Sequence, residues 1–281
     1  MYRQTDTPPP EPRRLEELKR LPRPLYGHRE TLPNRAIRRR HRHPWAQLSY
    51  AARGVIEVET PTGRFVAPPS RAVWVPAGHP HGVRCSRDTE MRSLYVEPTA
   101  CAADWPDCRV LEVTPLLREL IRAFGELPVA YDEAGAEGRL VAVLLDRLAA
   151  APGSDLGLPW PTDARLARLC RRLREAPDDA RTLGEHARRL GVCERTLSRA
   201  FRAQTGLGFR RWRQRCRLLA ALPRLEAGER VTDVALACGY ESLSAFIAAF
   251  RTQFGATPGE LLRSPEGASS RATSHPRSRD Q

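Results

Sequence analysis

The sequence predicts an α+β multidomain chain: an N-terminal β-barrel with flanking helices, then an all-α C-terminal domain of two helix-turn-helix units. Three observations carry this expectation. Ala-Phe-Arg-Ala-Gln-Thr-Gly at 200–206 returns as Ala-Phe-Arg-Thr-Gln-Phe-Gly at 249–255, and each copy closes a stretch that reads helix, glycine turn, helix. An internal repeat on this scale outranks any single residue as a guide to architecture. Between 35 and 98, short β-rich runs alternate at even spacing with Gly and Pro, the pattern of a small barrel or sandwich. The formal net charge of +13 is uneven: from Trp160 onward 23 Arg face 13 Asp plus Glu, an excess of +10 that leaves +3 for the front.

At 281 residues there is room for two cores, and 41% hydrophobic content excludes wholesale disorder. Clustered positive charge suits a polyphosphate partner, because each neutralised phosphate releases condensed counterion. An arginine-rich composition, with Lys19 the only lysine, gives basicity too, so the location of the charge is the stronger argument. The seven cysteines (Cys85, Cys101, Cys108, Cys170, Cys193, Cys216, Cys238) are odd in number, scattered, and form no CxxC pair. That pattern points away from a zinc knuckle or a disulfide framework and fits a reducing cytoplasm. Residues 1–10 lack an apolar h-region and no apolar run is long enough to cross a bilayer, so neither secretion nor a membrane partner is expected.

Residues 1–24, rich in proline and charge, are expected to form a disordered arm. Strands are expected at 47–52, 55–60, 64–67, 72–75, 82–85 and 92–96, with one more at 110–113. Helical periodicity follows in Leu116, Leu117, Leu120, Ile121 and Phe124, then in Leu140, Val143, Leu144 and Leu148. These two helices are expected to give a homodimer surface, with plain packing on the barrel as the alternative. Residues 25–150 thus form one domain. Pro152, Gly153, Pro159 and Pro161 mark 151–161 as a linker, 162–263 as the helical domain, and 264–281 as a disordered polar tail.

In the helical domain, Leu166, Leu169, Cys170 and Leu173 give the first helix one apolar face. Thr182-Leu-Gly-Glu185 is a capping box, in which hydroxyl and carboxylate satisfy free amides at a helix start. Leu183, Ala187 and Leu190 line that helix's core side, Gly191 supplies the turn, and 194–205 forms the next helix. There Leu197 and Phe201 point inward, while Arg195, Arg199 and Arg202 recur on the outer face. Such a stripe suits a major groove, where Arg bonds guanine O6 and N7. The second unit repeats the logic with Val231, Val234, Ala235 and Cys238 buried, Gly239 turning, and Ser242 capping a helix whose Phe246 and Phe250 face inward. Between the units, 208–222 reads as a long helix. Its Phe209, Trp212, Cys216 and Leu219 face inward, and Arg210, Arg211, Arg213, Arg215 and Arg217 mostly face solvent. Pro223 is expected to kink or stop it near Leu222. Thr257-Pro-Gly-Glu260 combines an N-cap, a Pro at the first helical position and a capping glutamate.

Across these residues the chain resembles the DNA-binding domain of the AraC/XylS family of bacterial transcription regulators. The matching elements are 183–201, the linker helix, Val-Thr-Asp-Val-Ala at 231–235, Gly-Tyr-Glu-Ser at 239–242, Phe-Ile-Ala-Ala-Phe-Arg at 246–251 and Gly-Ala-Thr-Pro at 255–258. The resemblance implies two recognition helices in successive major-groove segments on one face of double-stranded DNA. Carried over position by position, Arg195, Thr196, Ser198 and Arg199 face bases from the first unit. Leu243, Ser244, Ala245 and Ile247 do so from the second, with Arg202, Arg251 and Thr252 near phosphates; an ordinary solvated face is the alternative for Arg202 and Arg251. The chain departs from the family in placing Ala248 beside Ile247 where an outward Arg is common, so most hydrogen-bonded discrimination is expected from the first unit. Cys193 replaces the usual Ser cap, which weakens that cap.

In the front half, His41-Arg-His43 and Pro76-Ala-Gly-His-Pro-His81 resemble the two cupin signatures, with Gln47 where a carboxylate would stand. Trp-Ala-Gln-Leu at 45–48, Val-Glu-Thr-Pro at 58–61 and Arg-Ala-Val-Trp-Val-Pro at 71–76 extend the resemblance to cupin-bearing AraC-type regulators. Three imidazoles, His41, His43 and His81, with Gln47 as a poor fourth donor, could hold a divalent metal, or serve as hydrogen-bonding residues of an effector pocket. Replacing Glu by Gln removes one negative charge and lowers affinity for such a cation. Trp45, Tyr50 and Trp74 line a small pocket or belong to the core, and His79 forms the turn before His81.

Taken together, the resemblance implies a cytoplasmic, sequence-specific DNA-binding regulator, not an enzyme. A cupin-like domain senses a small effector, and RNA polymerase is the machinery recruited or blocked. The alternatives are a metal-dependent cupin enzyme fused to a DNA-binding domain and a non-specific architectural DNA binder.

Overall fold

The computed structural model describes residues 18–32, 37–86, 89–102 and 105–262. Eleven strands form two antiparallel sheets among these residues. They are β1 (Leu25–Leu32), β2 (Ile37–His41), β3 (Ala46–Arg53), β4 (Ile56–Glu59), β5 (Gly63–Ala67), β6 (Arg71–Val75), β7 (His81–Cys85), β8 (Thr89–Val96), β9 (Arg109–Glu112), β10 (Gly153–Ser154) and β11 (Gly157–Pro159). One sheet runs β1-β8-β3-β6-β9-β10, the other β11-β5-β4-β7-β2.

The first sheet is covered on both faces, which explains why its strands read as near-continuous apolar runs. Val73, Val75, Met91 and Val110 join the core shared with Val58, Val66 and Val83 of the second sheet. The alternate residues Leu48, Tyr50, Ala72, Trp74 and Leu94 pack instead with two helices. Those are α1 (Pro115–Phe124) and α2 (Ala136–Ala149), which present Leu117, Ile121, Phe124, Leu144 and Leu148 to the sheet. Thr114 caps α1 by accepting from the Leu117 amide at 3.3 Å. Tyr50 and Trp74 therefore belong to the helix-packed face, whereas Trp45 lies beside the histidines, with Tyr95 edge-on to His43.

The rest of the chain is helical: α3 (Ala164–Glu175), α4 (Leu183–Arg189), α5 (Glu194–Thr205), α6 (Phe209–Glu226), α7 (Val231–Ala237), α8 (Leu243–Phe254) and α9 (Pro258–Leu262). Local chemistry sets their limits. The Thr182–Glu185 capping box is complete, and Ser242 accepts from the Ala245 amide at 3.2 Å. The glycine that ends each repeat, Gly206 and Gly255, sits at φ of +69° and +77°, a left-handed C-terminal position that costs other residues a steric penalty. Phe201, Trp212, Cys216, Phe246 and Phe250 are fully buried.

The structure departs from the sequence reading in four places. The arm assigned to 1–24 lies outside the described residues only as far as 17; Leu21 is buried with Tyr26, Trp45 and Tyr95, and its amide donates to Glu97 Oε1 at 3.0 Å. The tail 264–281 lies outside the described residues. The stretch 151–161 carries β10, paired with β9, and β11, paired with β5, so it adds an edge strand to each sheet. Proline and glycine punctuate it, but edge strands of two or three residues accommodate both, and Leu156 and Leu158 are buried.

Third, α6 does not stop at Leu222. It runs through Pro223 to Glu226, because Leu218, Leu219, Leu222 and Leu225 all bury in one core and tertiary packing outweighs the lost helical bond. Fourth, the arginines of α6 are not mostly solvent-facing. Arg215 is 5% exposed and donates to the Gly157 carbonyl at 2.9 Å and to Asp155 Oδ2 at 3.1 Å. Arg213 donates to the Arg181 carbonyl, and Arg217 to the carbonyls of Pro177 and Asp179. Only Arg210 and Arg211 are exposed on this helix's first turn.

Long-range polar contacts fasten the two halves. The Trp212 indole donates to the Pro159 carbonyl at 2.8 Å, and Arg174 pairs with Glu59 at 2.7 Å. Both repeated glutamines reach back to the strip before α3, with opposite polarity: Gln253 donates to the Asp155 carbonyl at 3.0 Å, and Gln204 accepts from the Asp163 amide at 2.9 Å. Since Pro223 offers Leu219 no amide, Pro223→Ala restores a helical bond and should stabilise the chain by about 1–3 kcal/mol, read as a higher urea midpoint.

Candidate nucleic-acid interface and histidine pocket

The register of β2 against β7 sets His41 opposite His81. Gln47 and Ser49 reach the same space from β3, and His43 follows β2 in the chain. His43, Gln47 and His81 are 8%, 2% and 0% exposed. The candidate ligand atoms of His41, His43 and His81 lie within 4.8 Å of one another, so the structure brings together all four residues that the sequence singled out. His43 stacks on Trp45 with ring centroids 5.4 Å apart.

The hydrogen bonds fix the tautomers. His43 Nδ1 is 2.7 Å from the Trp45 carbonyl and His81 Nδ1 is 2.9 Å from the His79 carbonyl. A carbonyl only accepts, so both Nδ1 atoms carry the hydrogen. Burial pushes both imidazoles toward the neutral form, His81 down to about 4. Each Nε2 is then a bare acceptor, yet both sit 2.9–3.0 Å from the same end of the Gln47 amide. That end must donate. With the amide nitrogen turned to the two imidazoles and its oxygen accepting from the Ser49 hydroxyl at the 3.1 Å contact, every polar atom is satisfied. A glutamine completes a neutral cluster here; a glutamate would set a third acceptor against the two imidazole nitrogens and call for a proton or a cation. The same Nε2 lone pairs, with His41 and with the Gln47 amide turned over to present its oxygen, fit a divalent metal that takes N and O donors, in a site one negative charge short of a carboxylate-bearing one.

On the helical side, Leu197 and Phe201 anchor α5 in the core and leave Arg195, Thr196, Ser198 and Arg199 exposed. Its N-cap, Cys193, makes no side-chain bond to a helix amide and instead lies 3.0 Å from the Thr196 hydroxyl. On α8, Leu243, Ser244 and Ala245 are exposed, with Leu243 38% open. Ile247 is half-buried and packs against the core, so only part of it is presented. The Thr252 hydroxyl donates to the Ala248 carbonyl at 2.9 Å, which occupies its hydrogen within its own helix.

Partner choice sorts the arginines. Arg174, Arg181, Arg211, Arg215, Arg224 and Arg230 are held by carboxylates. Among the described residues, Arg195, Arg199, Arg202 and Arg251 make no ion pair, and all four are exposed. Arg188 and Arg189, in the last turn of α4, are exposed and equally unpaired among the described residues, an addition that their position on a short capped helix did not signal. The two sets differ in what they cost to move: the free set brings charge to a phosphate without breaking a folded contact.

Residues 24–190 match the AraC-like ligand binding domain, and residues 186–264 match a helix-turn-helix domain. The HTH-type transcriptional regulator NimR of Escherichia coli is 33% identical over 222 residues, 79% of this chain and 81% of its own length. The chain belongs to the AraC family of transcription regulators. The HTH-type transcriptional activator RhaS of Escherichia fergusonii is 28% identical over 58% of this chain and 60% of its own. Fatty-acid-bound ToxT from Vibrio cholerae covers 85% of this chain and 93% of its own at 13% identity and a TM-score of 0.35, and the family assignment rests on the sequence matches.

As an AraC-family protein the chain offers two measurable contrasts. Arg199→Ala should cost about 1–3 kcal/mol at the preferred DNA site and relax one base position, whereas Arg202→Ala should weaken all sequences alike and reduce the salt slope by about 1. Anisotropy titrations over a base-substituted panel at several salt concentrations separate the two. In the front half, Gln47→Glu should raise affinity for Zn²⁺ at least about tenfold by adding a charged oxygen donor to the imidazoles, read by competition with a chromogenic chelator.

Proposed function

We propose that the protein is a sequence-specific, DNA-binding regulator in which residues 25–150 sense a small effector and residues 162–263 read two adjacent major-groove segments. The observation that carries this is the sorting of charge within a repeated frame. In both units the inward Phe is buried, the N-terminal half of the second helix is exposed, and the arginine after the Phe is unpaired among the described residues. In this reading Arg195, Thr196, Ser198 and Arg199 meet bases from the first unit, and Leu243, Ser244, Ala245 and the open part of Ile247 from the second. Arg202 and Arg251 meet phosphates, while Thr252 contributes less than the sequence implies because its hydroxyl is bonded to Ala248.

The remaining partners follow from the same reading. Leu116 and Val143, 54% and 45% exposed on the outer sides of α1 and α2, suit a homodimer contact. RNA polymerase is the machinery acted on, and the site of action is cytoplasmic. No helix among the described residues is long and apolar enough to cross a membrane. The histidine cluster favours a second reading, a metal-bound pocket, since His43 and His81 both direct an Nε2 lone pair inward. Metal analysis of purified protein and of His43→Ala tests it: stoichiometric metal that the variant loses, with DNA binding retained, supports a metal role in the front domain.

A footprint of the full chain on DNA flanking its own gene tests the regulator. Two protected major-groove segments about 10–10.5 base pairs apart are expected. Preference over scrambled DNA should reach about a thousandfold at fixed salt, and equal affinity for both would make the protein an architectural binder instead.

A further inference from the structure

The glycines that turn the two helix-turn-helix units share a backbone conformation but not a setting. Gly191, between α4 and α5, has φ of +68°, and Gly239, between α7 and α8, has φ of +76°. Nothing lies within 4 Å of where a Cβ would stand on Gly191. At Gly239 a Cβ would lie 2.7 Å from Arg217 Nη2 and 2.9 Å from both Arg217 Cζ and the Asp178 Cα. The second turn is therefore packed against a guanidinium of α6 and against the loop between α3 and α4, which leads directly into the first unit.

Arg217 holds both sides of that contact. Its Nε donates to the Pro177 carbonyl at 2.7 Å and its Nη2 to the Asp179 carbonyl at 3.2 Å. A planar guanidinium can bond two carbonyls along one edge while lying close against a glycine, an arrangement that the single ammonium of a lysine does not reproduce. The loop is itself stiffened. The Asp179 carboxylate accepts from the Arg181 amide at 2.9 Å and pairs with the Arg181 side chain at 2.6 Å, and Thr182 then caps α4. Both units also pack on α6, α5 from the first and α7 and α8 from the second. That packing buries Phe209, Trp212, Leu219 and Leu222 and is non-directional, so it resists rotation about the α6 axis less sharply than oriented hydrogen bonds do.

We infer that Arg217 is a positioning residue for two-segment DNA reading. By holding residues 177–179 against Gly239 it fixes the distance and the phase between α5 and α8, and with them the spacing of base segments that the protein accepts. The consequence for DNA rests on the two-segment reading proposed above, but the clamp itself does not. One base pair is about 3.4 Å of duplex axis and about a tenth of a turn, so a small rotation of one unit about α6 takes its recognition helix out of register. Two linked modules gain affinity from each other only where the geometry lets both engage at once. A loosened clamp therefore costs affinity at the natural spacing and tolerates the others.

The test uses the full chain and a duplex carrying the two segments it protects in a footprint, with one base pair added or removed between them. The unaltered chain should bind the natural spacing at least about tenfold more tightly than either altered one. In Arg217→Gln that preference should fall to within about threefold. The ratio is taken within one protein, so a smaller folded fraction does not move it. Gly239→Ala should relax the ratio in the same way, because its methyl displaces Arg217. Gly191→Ala carries the same left-handed strain in open space and should keep the ratio. Arg224→Gln, on the same helix but paired with Glu229, should keep it too. Without DNA, spin labels on unnatural side chains at Ser198 and Ser244 should give one narrow distance in the unaltered chain and a broad or displaced one in Arg217→Gln. An unchanged ratio or an unchanged distance in Arg217→Gln, an unaltered chain that accepts all three spacings alike, or equal relaxation by Gly191→Ala and Gly239→Ala each overturns the clamp. A changed distance in a protein that leaves no footprint overturns the regulator reading alone.

Discussion

The strip of chain from Gly153 to Asp163 is spent in two directions at once, and the arrangement of the two halves depends on it. Its backbone pairs with β9 and β5 on one side. On the other, its carbonyls at Asp155, Gly157 and Pro159 receive Gln253, Arg215 and Trp212. Asp155 is exposed and Gly157 and Pro159 are partly buried, so each of the three donors from the helical domain contributes about 0.5–1.5 kcal/mol to holding this stretch, which enters both sheets. The donors come from α6 and α8, and Gln204 of α5 reaches Asp163. Both helix-turn-helix units are therefore referenced to one short element, and a displacement of either sheet edge is felt by both.

The same economy governs the arginines. A guanidinium is equally able to hold a fold together or to meet a phosphate, and sequence position does not say which. Arg213, Arg215 and Arg217 point to carbonyls of the preceding segment and act as fasteners. Arg195, Arg199, Arg202 and Arg251 remain unpaired among the described residues. Part of the positive charge of the C-terminal half is thus spent inside the fold, and its exposed surface carries less of it than the composition suggests.

The histidine cluster shows a comparable shift in meaning. Read along the chain, His41, His43 and His81 are metal-type ligands with a substituted fourth position. In space His43 and His81 form a hydrogen-bonded set around Gln47, with both Nδ1 hydrogens committed to backbone carbonyls and the His41 ring packed beside them. The substitution of an amide for a carboxylate is what lets that set close without a cation.

Much of the fold was legible because it is local. Capping boxes, left-handed glycines and apolar stripes act within a turn or two, so Thr182, Glu185, Gly206, Gly255, Phe201 and Phe246 announced the two helix-turn-helix units before any contact was known. Short β-rich runs set off by Gly and Pro likewise marked the barrel strands at 47–52 and 72–75. What the sequence by itself determined, then, is the set of elements and the duplicated reading frame. Only the tertiary structure decided that 151–161 carries two short edge strands, that α6 passes through Pro223, which arginines are free, and what the repeated glutamines hold. Each of those outcomes turns on a partner dozens of residues away, and a distant donor or core neighbour leaves no periodicity in the chain that it stabilises.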